Sequence, residues 1–287
     1  MRVEKMGNVG GQAVIEGVMM RSDKKMAIAV RNPKGKIVVK VKKLDLLSAR
    51  MKKWIFIRGV INLVEMLIHG VKSLNYSVEV ATGEKPKKKN TTDWFTLFIV
   101  IFFSAIVGLA FFKLLPLWIA KVINPESNLL FNLIDGSVKL LLFVAYVYVI
   151  SLWKDMRRVF SYHGAEHKAV HCYESKKKLT VQNAKKFSTV HCRCGTNFIA
   201  IVIMISIVVY VFIPKTVPFM YKFLYRILLL PIIASISYEV LKLGAKYENN
   251  FLMRLFDQPG LWVQRITTKE PDDKQLEVAL VALKKVI

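Results

Sequence analysis

The chain has 287 residues, 54% of them hydrophobic, with 44 Lys and Arg against 20 Asp and Glu, a formal charge of +24. That apolar share is too high for an ordinary basic soluble protein. The charge suits anionic partners, either the cytoplasmic leaflet of a lipid bilayer or the phosphates of ribosome and RNA. The three cysteines, Cys172, Cys192 and Cys194, include a Cys-x-Cys pair that makes a poor disulfide, which argues for a reduced compartment.

Met1 to Asn8 is polar and no apolar stretch follows, so no signal peptide is expected. Gly10 to Arg21 sets glycines around an isolated acid, Glu16, but lacks the Lys and Ser/Thr of a nucleotide-binding loop. Glu16 reads as a buried, partnered structural carboxylate or as a remote metal ligand. Met26–Arg31 and Lys36–Lys42, joined by Asn32-Pro-Lys-Gly35, predict a β-hairpin.

Trp54 to Leu74 is apolar apart from Arg58, Asn62, Glu65, His69 and Lys72, whose spacing makes one stripe on a helix. Such a helix lies at the membrane interface or packs on other helices with its stripe inward, although a solvated stripe is expected for Glu65 and His69. A basic linker, Gly83 to Asn90, leads to a first transmembrane helix, Trp94 to Trp118. Asn124 to Asn128 is a turn, and Leu129 or Leu133 to Trp153 is a second span. Lysines before the first span and Lys154, Arg157 and Arg158 after the second put the N-terminal region and the segment after Trp153 on the cytoplasmic side. Phe198–Ile213 and Tyr221 or Ile227 to Leu243 predict third and fourth spans, leaving the C-terminus cytoplasmic. Glu239, near the cytoplasmic end of the last span, is an acid at membrane depth and reads as functional or paired. Phe251 to Gln264 is amphipathic with a turn at Asp257–Gly260, and Pro271 opens a final helix to about Lys285.

The expected fold is therefore mainly α, a polytopic membrane protein with four transmembrane helices, a small N-terminal β-hairpin element and cytoplasmic amphipathic helices. Its divisions are 1–50 (Gly-rich loop and hairpin), 51–90 (amphipathic helix and basic linker), 91–156 (spans one and two), 157–197 (cytoplasmic His/Glu/Cys segment), 198–246 (spans three and four) and 247–287 (C-terminal helices).

The chemistry concentrates in Ser161 to Glu174. His163, His167 and His171 recur every fourth residue with Glu166 and Glu174 interleaved, so all five share one helix face. Imidazoles one turn apart can chelate one metal ion. His163-x-x-Glu166-His167 also reads as H-x-x-E-H, in which the carboxylate takes a proton from an activated water. At ~1.5 Å rise per residue, His171 lies ~12 Å along the axis from His163, too far for one ion on a straight helix. Either His171 and Glu174 bind a second ion, or a distant segment completes a site begun by His163 and His167. A polar face of internally bonded histidines is the plainer alternative.

The other chemical segment is His191-Cys-Arg-Cys-Gly-Thr196. Its cysteine spacing does not make a self-contained structural zinc site. The segment is expected to fold back on the histidine helix, where His191 and Cys194 supply ligands and Arg193 holds an anionic substrate. A turn capped by Gly195, with both cysteines packed as small hydrophobes, is the alternative.

Gly10–Arg21, His163–Glu174, His191–Thr196 and Pro259–Pro271 together resemble a bacterial YqhQ-like family of uncharacterised multi-pass membrane proteins described as predicted metal-dependent enzymes. The resemblance covers nearly the whole chain but implies no substrate. Of the reversed zinc proteases only H-x-x-E-H is matched, with no downstream third-ligand segment.

Together these readings predict a multi-pass cell-membrane enzyme with a divalent metal, zinc first and iron or manganese as alternatives. The reaction is expected to be hydrolytic, at the cytoplasmic face, on a lipid, a lipid-linked precursor or a membrane-bound peptide. Its ligands are expected among His163, His167, His171, Glu174, His191, Cys194, Glu239 and Glu16, with Glu166 and Arg193 catalytic. The competing class is a non-catalytic anchor or scaffold whose basic cytoplasmic surface binds ribosome, RNA, anionic lipid or another membrane complex. Metal transport is a weaker reading, since Glu239 is the main polar group noticed in the spans. Self-association into a homo-oligomer is left open.

Overall fold

The computed structural model describes residues 9–44, 55–83, 91–214, 216–247 and 250–287. It is mainly helical with one small N-terminal antiparallel sheet. The strands are β1 (Gly10–Val14), β2 (Gly17–Arg21), β3 (Lys25–Arg31) and β4 (Ile37–Lys43), paired in chain order. The expected hairpin is β3–β4, with Arg31 opposite Ile37 and Lys25 opposite Lys43. The glycine-rich opening forms a second hairpin, β1–β2, with Val14 opposite Gly17. Glu16 occupies its turn at φ 52°, a left-handed conformation.

The helices are α1 (Ile55–Thr82), α2 (Thr91–Leu109), a π-helical turn (Ala110–Leu114), α3 (Leu115–Ile123), α4 (Asn128–Ser151), α5 (Lys154–Glu174) and α6 (Val181–Ala184). They continue as α7 (Gly195–Tyr210), α8 (Phe219–Leu228), α9 (Leu230–Lys246), α10 (Phe251–Thr267) and α11 (Asp273–Lys284).

Strand alternation explains the packing of the sheet. Val18, Met20, Ala27 and Ala29 point to one face, where they join Tyr162, Ala165 and Ala169 of α5 and Leu276, Leu280 and Leu283 of α11. Val14, Met19, Met26, Ile28 and Val30 point to the other, against Tyr76 and Val80 of α1. The sheet is thus sandwiched, and β1 and β2 are held against α5. The final helix starts two residues after Pro271, with Asp272 as its N-cap and Asp272 and Gln275 forming a reciprocal capping box.

Among the described residues two helices are long and apolar enough to cross a membrane, Phe102–Ile123 and Asn128–Ser151. A third arises if α8 and α9, bent by 47° at Leu229, count as one span. α7 is apolar but has only 16 residues, below the ~17–25 that span a hydrocarbon core. The four expected spans therefore appear as two, or three with the bent pair. The turn expected at Asp257–Gly260 is absent, because α10 runs through Pro259. Gly260 lies so close to Asn197 of α7 that any side chain would overlap it, and Asn197 donates to Asp257 at 2.8 Å. Packing against α7 overrides the local turn signal there.

Candidate metal centre

α5 carries the histidine face, and its burial follows from its position between the sheet, α11 and α10. His167 and Glu166 are 3% and 5% exposed. The expected fold-back occurs: the 191–194 segment lies over α5 and leads into α7. His191 is fixed by a buried amide, since its N–H donates to Gln264 Oε1 and its carbonyl accepts from Gln264 Nε2, both at 2.9 Å. Cys194 then caps α7, its sulfur accepting from the Thr196 N–H at 3.4 Å.

The result is two sets of donors. His163, His167 and Cys194 offer ligand atoms all within 4.8 Å of one another, and His171, Glu174 and His191 do the same. The four imidazoles form a ladder, with ring centroids 4.4 Å apart for His163–His167 and His171–His191 and 5.8 Å for His167–His191. The ~12 Å spread along α5 is resolved by dividing the helix face between two sets rather than by one ion.

Hydrogen bonding tells the sets apart. A carbonyl can only accept, so His163 Nδ1 donates to Thr267 O (2.9 Å) and His167 Nδ1 donates to Thr189 O (2.5 Å). In the neutral form each ring then carries a bare Nε2 lone pair, and His163 Nε2 lies 3.2 Å from Cys194 Sγ. One thiol has one hydrogen, which cannot serve two lone pairs. Such a set could hold a positive centre, and backbone carbonyls behind metal-binding imidazoles are the usual way of fixing the ligand tautomer. Two nitrogens and a sulfur fit zinc, and three protein ligands leave a fourth position for substrate.

The second set is already satisfied by hydrogens. His191 Nδ1 accepts from the Arg193 N–H (3.1 Å), so Nε2 carries the proton and donates to Glu174 (3.0 Å). Glu174 also takes the Arg193 guanidinium at 2.8 Å. Burial alone would raise its carboxyl, but the His191 hydrogen bond and the nearby His191, Arg193 and His171 charges hold it below the usual range. His171 Nε2 donates to Val190 O at 3.0 Å.

Glu166 lies between the sets, 3.5 Å from His167 Nε2. Burial pushes its carboxyl pKa up, against the His163 and His191 charges and a hydrogen bond from the Gly11 amide. A side chain at Gly11 would press on Glu166 Cγ at 2.8 Å, so β1 needs glycine there to approach α5. Burial also lowers the imidazole pKa values of His167 and His171.

The first set opens on a cleft of about 1180 Å³ lined by His163, Glu166, His167 and Cys194 and by Arg58, Asn62, Glu65 and His69 of α1. Four residues of the α1 stripe thus face inward, while Lys72 is exposed. Glu65 is ion-paired with Arg21 at 2.8 Å rather than solvated. Glu239 is gripped by Arg58, and Glu16 by Arg158 with the Tyr162 hydroxyl at 3.2 Å. Both carboxylates stand outside the two donor sets. Cys172 packs in the core under α11. The positioning groups missed from sequence are Gln264 and the carbonyls of Thr189, Val190 and Thr267. Carbonyls carry no sequence signal, whereas Gln264, fully buried on α10 beside Val263, is an amide on an apolar face.

Residues 54–287 match the model of a family described as a protein of unknown function (DUF1385). The uncharacterized protein YqhQ of Bacillus subtilis (strain 168) is 35% identical over 285 residues, covering 94% of this chain and 89% of that protein. No solved structure matches.

Proposed function

The chain belongs to the DUF1385 family, and we propose that it is a membrane-embedded, metal-dependent hydrolytic enzyme working at the cytoplasmic face. One observation carries this reading: two Nε2 lone pairs and the Cys194 sulfur converge beside a buried carboxyl at the wall of a large cleft. His163, His167 and Cys194 would hold a divalent ion, zinc first, which would supply Lewis acidity toward a scissile carbonyl or phosphoryl bond and toward water. Glu166 would take the proton as general base, its burial raising its carboxyl pKa. The His191–Glu174–Arg193 group braces the loop that presents Cys194, and Arg193 lies on the cleft rim to meet negative charge.

The substrate in this reading is a lipid, a lipid-linked precursor or a membrane-bound peptide. α1 supports it: Val64, Leu67, Ile68, Val71 and Val78 are exposed on the side away from the stripe, an apolar band suited to the membrane interface. The cleft would then open beneath the headgroups. The bent α8–α9 pair as one span and α7 as another make four, with both termini inside by the placement of Lys and Arg.

The test is turnover. Zinc-loaded full chain is incubated with bacterial lipid extract and with membrane peptides, and products are identified by mass spectrometry. A product formed by the wild type and reduced ~10²–10⁴-fold by Glu166→Gln, with metal retained, supports the reading. No product, or an equal product from Glu166→Gln, overturns it, and salt-sensitive RNA or ribosome binding unaffected by His163→Ala would favour a scaffold instead.

A further inference from the structure

A second polar cluster lies inside the helix bundle, at the end away from the donor sets. Asp135 and Lys139 of α4 are 1% and 4% exposed, and Arg226 of α8 is 3% exposed. Lys139 and Arg226 both bind Asp135 Oδ2, Arg226 Nη1 at 2.6 Å, and Arg226 Nη2 donates to Asn132 at 2.6 Å. Tyr210 of α7 stands at the centre. Its ring is 5.1 Å from Lys139 Nζ, 4.6 Å from Arg226 Cζ and 5.8 Å from Lys113 Nζ.

Three cations therefore gather around one ring, and Asp135 is the one carboxylate paired with them among the described residues. With every group ionised the surplus is two positive charges. Such a surplus out of water is costly, and it is relieved by an anion or by loss of a proton from a lysine. Asp135 Oδ1 and Arg226 Nε are buried without a hydrogen-bond partner. Two backbone irregularities coincide with the cluster: Lys113 belongs to the π-helical turn, and Arg226 precedes the 47° bend between α8 and α9. Such interruptions recur at functional sites in helices and at ligand sites in membrane bundles. A further cavity of about 340 Å³ adjoins Phe131, between Lys121, Asn124, Phe219 and Lys222, with Lys222 Nζ 4.8 Å from the Phe131 ring and Arg226 5.9 Å.

We propose that this cluster is an anion site for a phosphate group, entered through the cavity beside Phe131 and held between Lys113, Lys139 and Arg226. A dianionic phosphate balances the surplus of two, and the aromatic rings line its approach. The phosphate comes from a free phosphate ion or from a lipid headgroup. This site is independent of the donor sets on α5.

The experiment uses the purified full chain in detergent. Binding of radiolabelled inorganic phosphate is measured by equilibrium dialysis, and binding of a short-chain phosphatidic acid, whose phosphomonoester can carry two charges, is measured in parallel by titration. Saturable binding of either probe, weakened at least tenfold in Lys113→Met and in Lys139→Met, is expected. Binding of phosphate identifies the free ion as sufficient, and binding of the lipid alone identifies the headgroup. Each variant removes a surplus charge and leaves the Asp135–Arg226 pair, so elution volume and thermal midpoint at wild-type level confirm folding. Absence of binding by both probes, or equal binding by both variants, overturns the proposal.

Discussion

The two polar centres of this molecule are opposites. At the α5 end, lone pairs outnumber hydrogens: two Nε2 atoms and a sulfur face one another. In the bundle, cations outnumber anions, three against one around Tyr210. Each is built largely from buried groups, with Lys113 and His163 partly buried, and the sign of the imbalance says what each would take. The lone-pair centre fits a cation and the cationic centre fits an anion. The neighbouring His171–Glu174–His191 set shows what balance looks like, with each hydrogen placed between a donor and an acceptor.

That contrast can be broken by substitution. The largest effect is expected at Asp135. Asp135→Ala leaves Lys139 and Arg226 with no anion, and removing one member of a buried pair costs about 3–5 kcal/mol; denaturant titration in detergent reads it. Lys139→Met, by contrast, removes surplus charge and should change stability by less than ~1 kcal/mol. An equal loss in both variants would show that the cluster is charge-balanced.

Next comes Gln264→Ala. It strands the His191 N–H and C=O, costing about 2 kcal/mol, and it frees the loop that carries Cys194. Metal affinity should fall ~10–100-fold, as for other groups that position ligands, while the bundle cluster keeps its phosphate response. Metal titration of the apo protein checks this.

The smallest effect is a pH dependence confined to the α5 end. In metal-free protein His167 and His171 have folded pKa values below the unfolded one, so the unfolded chain binds more protons and stability falls as pH drops below ~6.5. Glu166 is shifted upward, so its own contribution runs the other way and is lost as pH rises above the unfolded carboxyl value through the folded one. His171→Gln should flatten the acid limb of the thermal midpoint between pH 5 and 7. An unchanged acid limb would remove His171 from the account.

What the sequence made legible was local. The spacing of His163, Glu166, His167, His171 and Glu174 lies within one helix, and the chain order of His191 and Cys194 suggested a return to it. The division into two sets was not legible, because it depends on Gln264 holding His191 and on carbonyls that fix the tautomers. The hairpin from Met26 to Lys42 was readable, whereas β1–β2 was hidden by its glycines, of which Gly11 serves close packing on Glu166 and Gly17 close packing on β3. Glu239 drew attention as an acid at membrane depth, functional or paired, and it is paired with Arg58, although it stands outside both donor sets. Lys113, Asp135, Lys139 and Arg226 come from three parts of the chain, and only Asp135 and Lys139 are neighbours in sequence spacing.

The most direct measurement is elemental analysis of full chain purified without chelators, comparing wild type with His163→Ala/His167→Ala and with His171→Ala. The account predicts about one equivalent of zinc, iron or manganese in the wild type, lost in the double variant and retained in His171→Ala. A folded, metal-free wild type, or metal that survives loss of both His163 and His167, would contradict it.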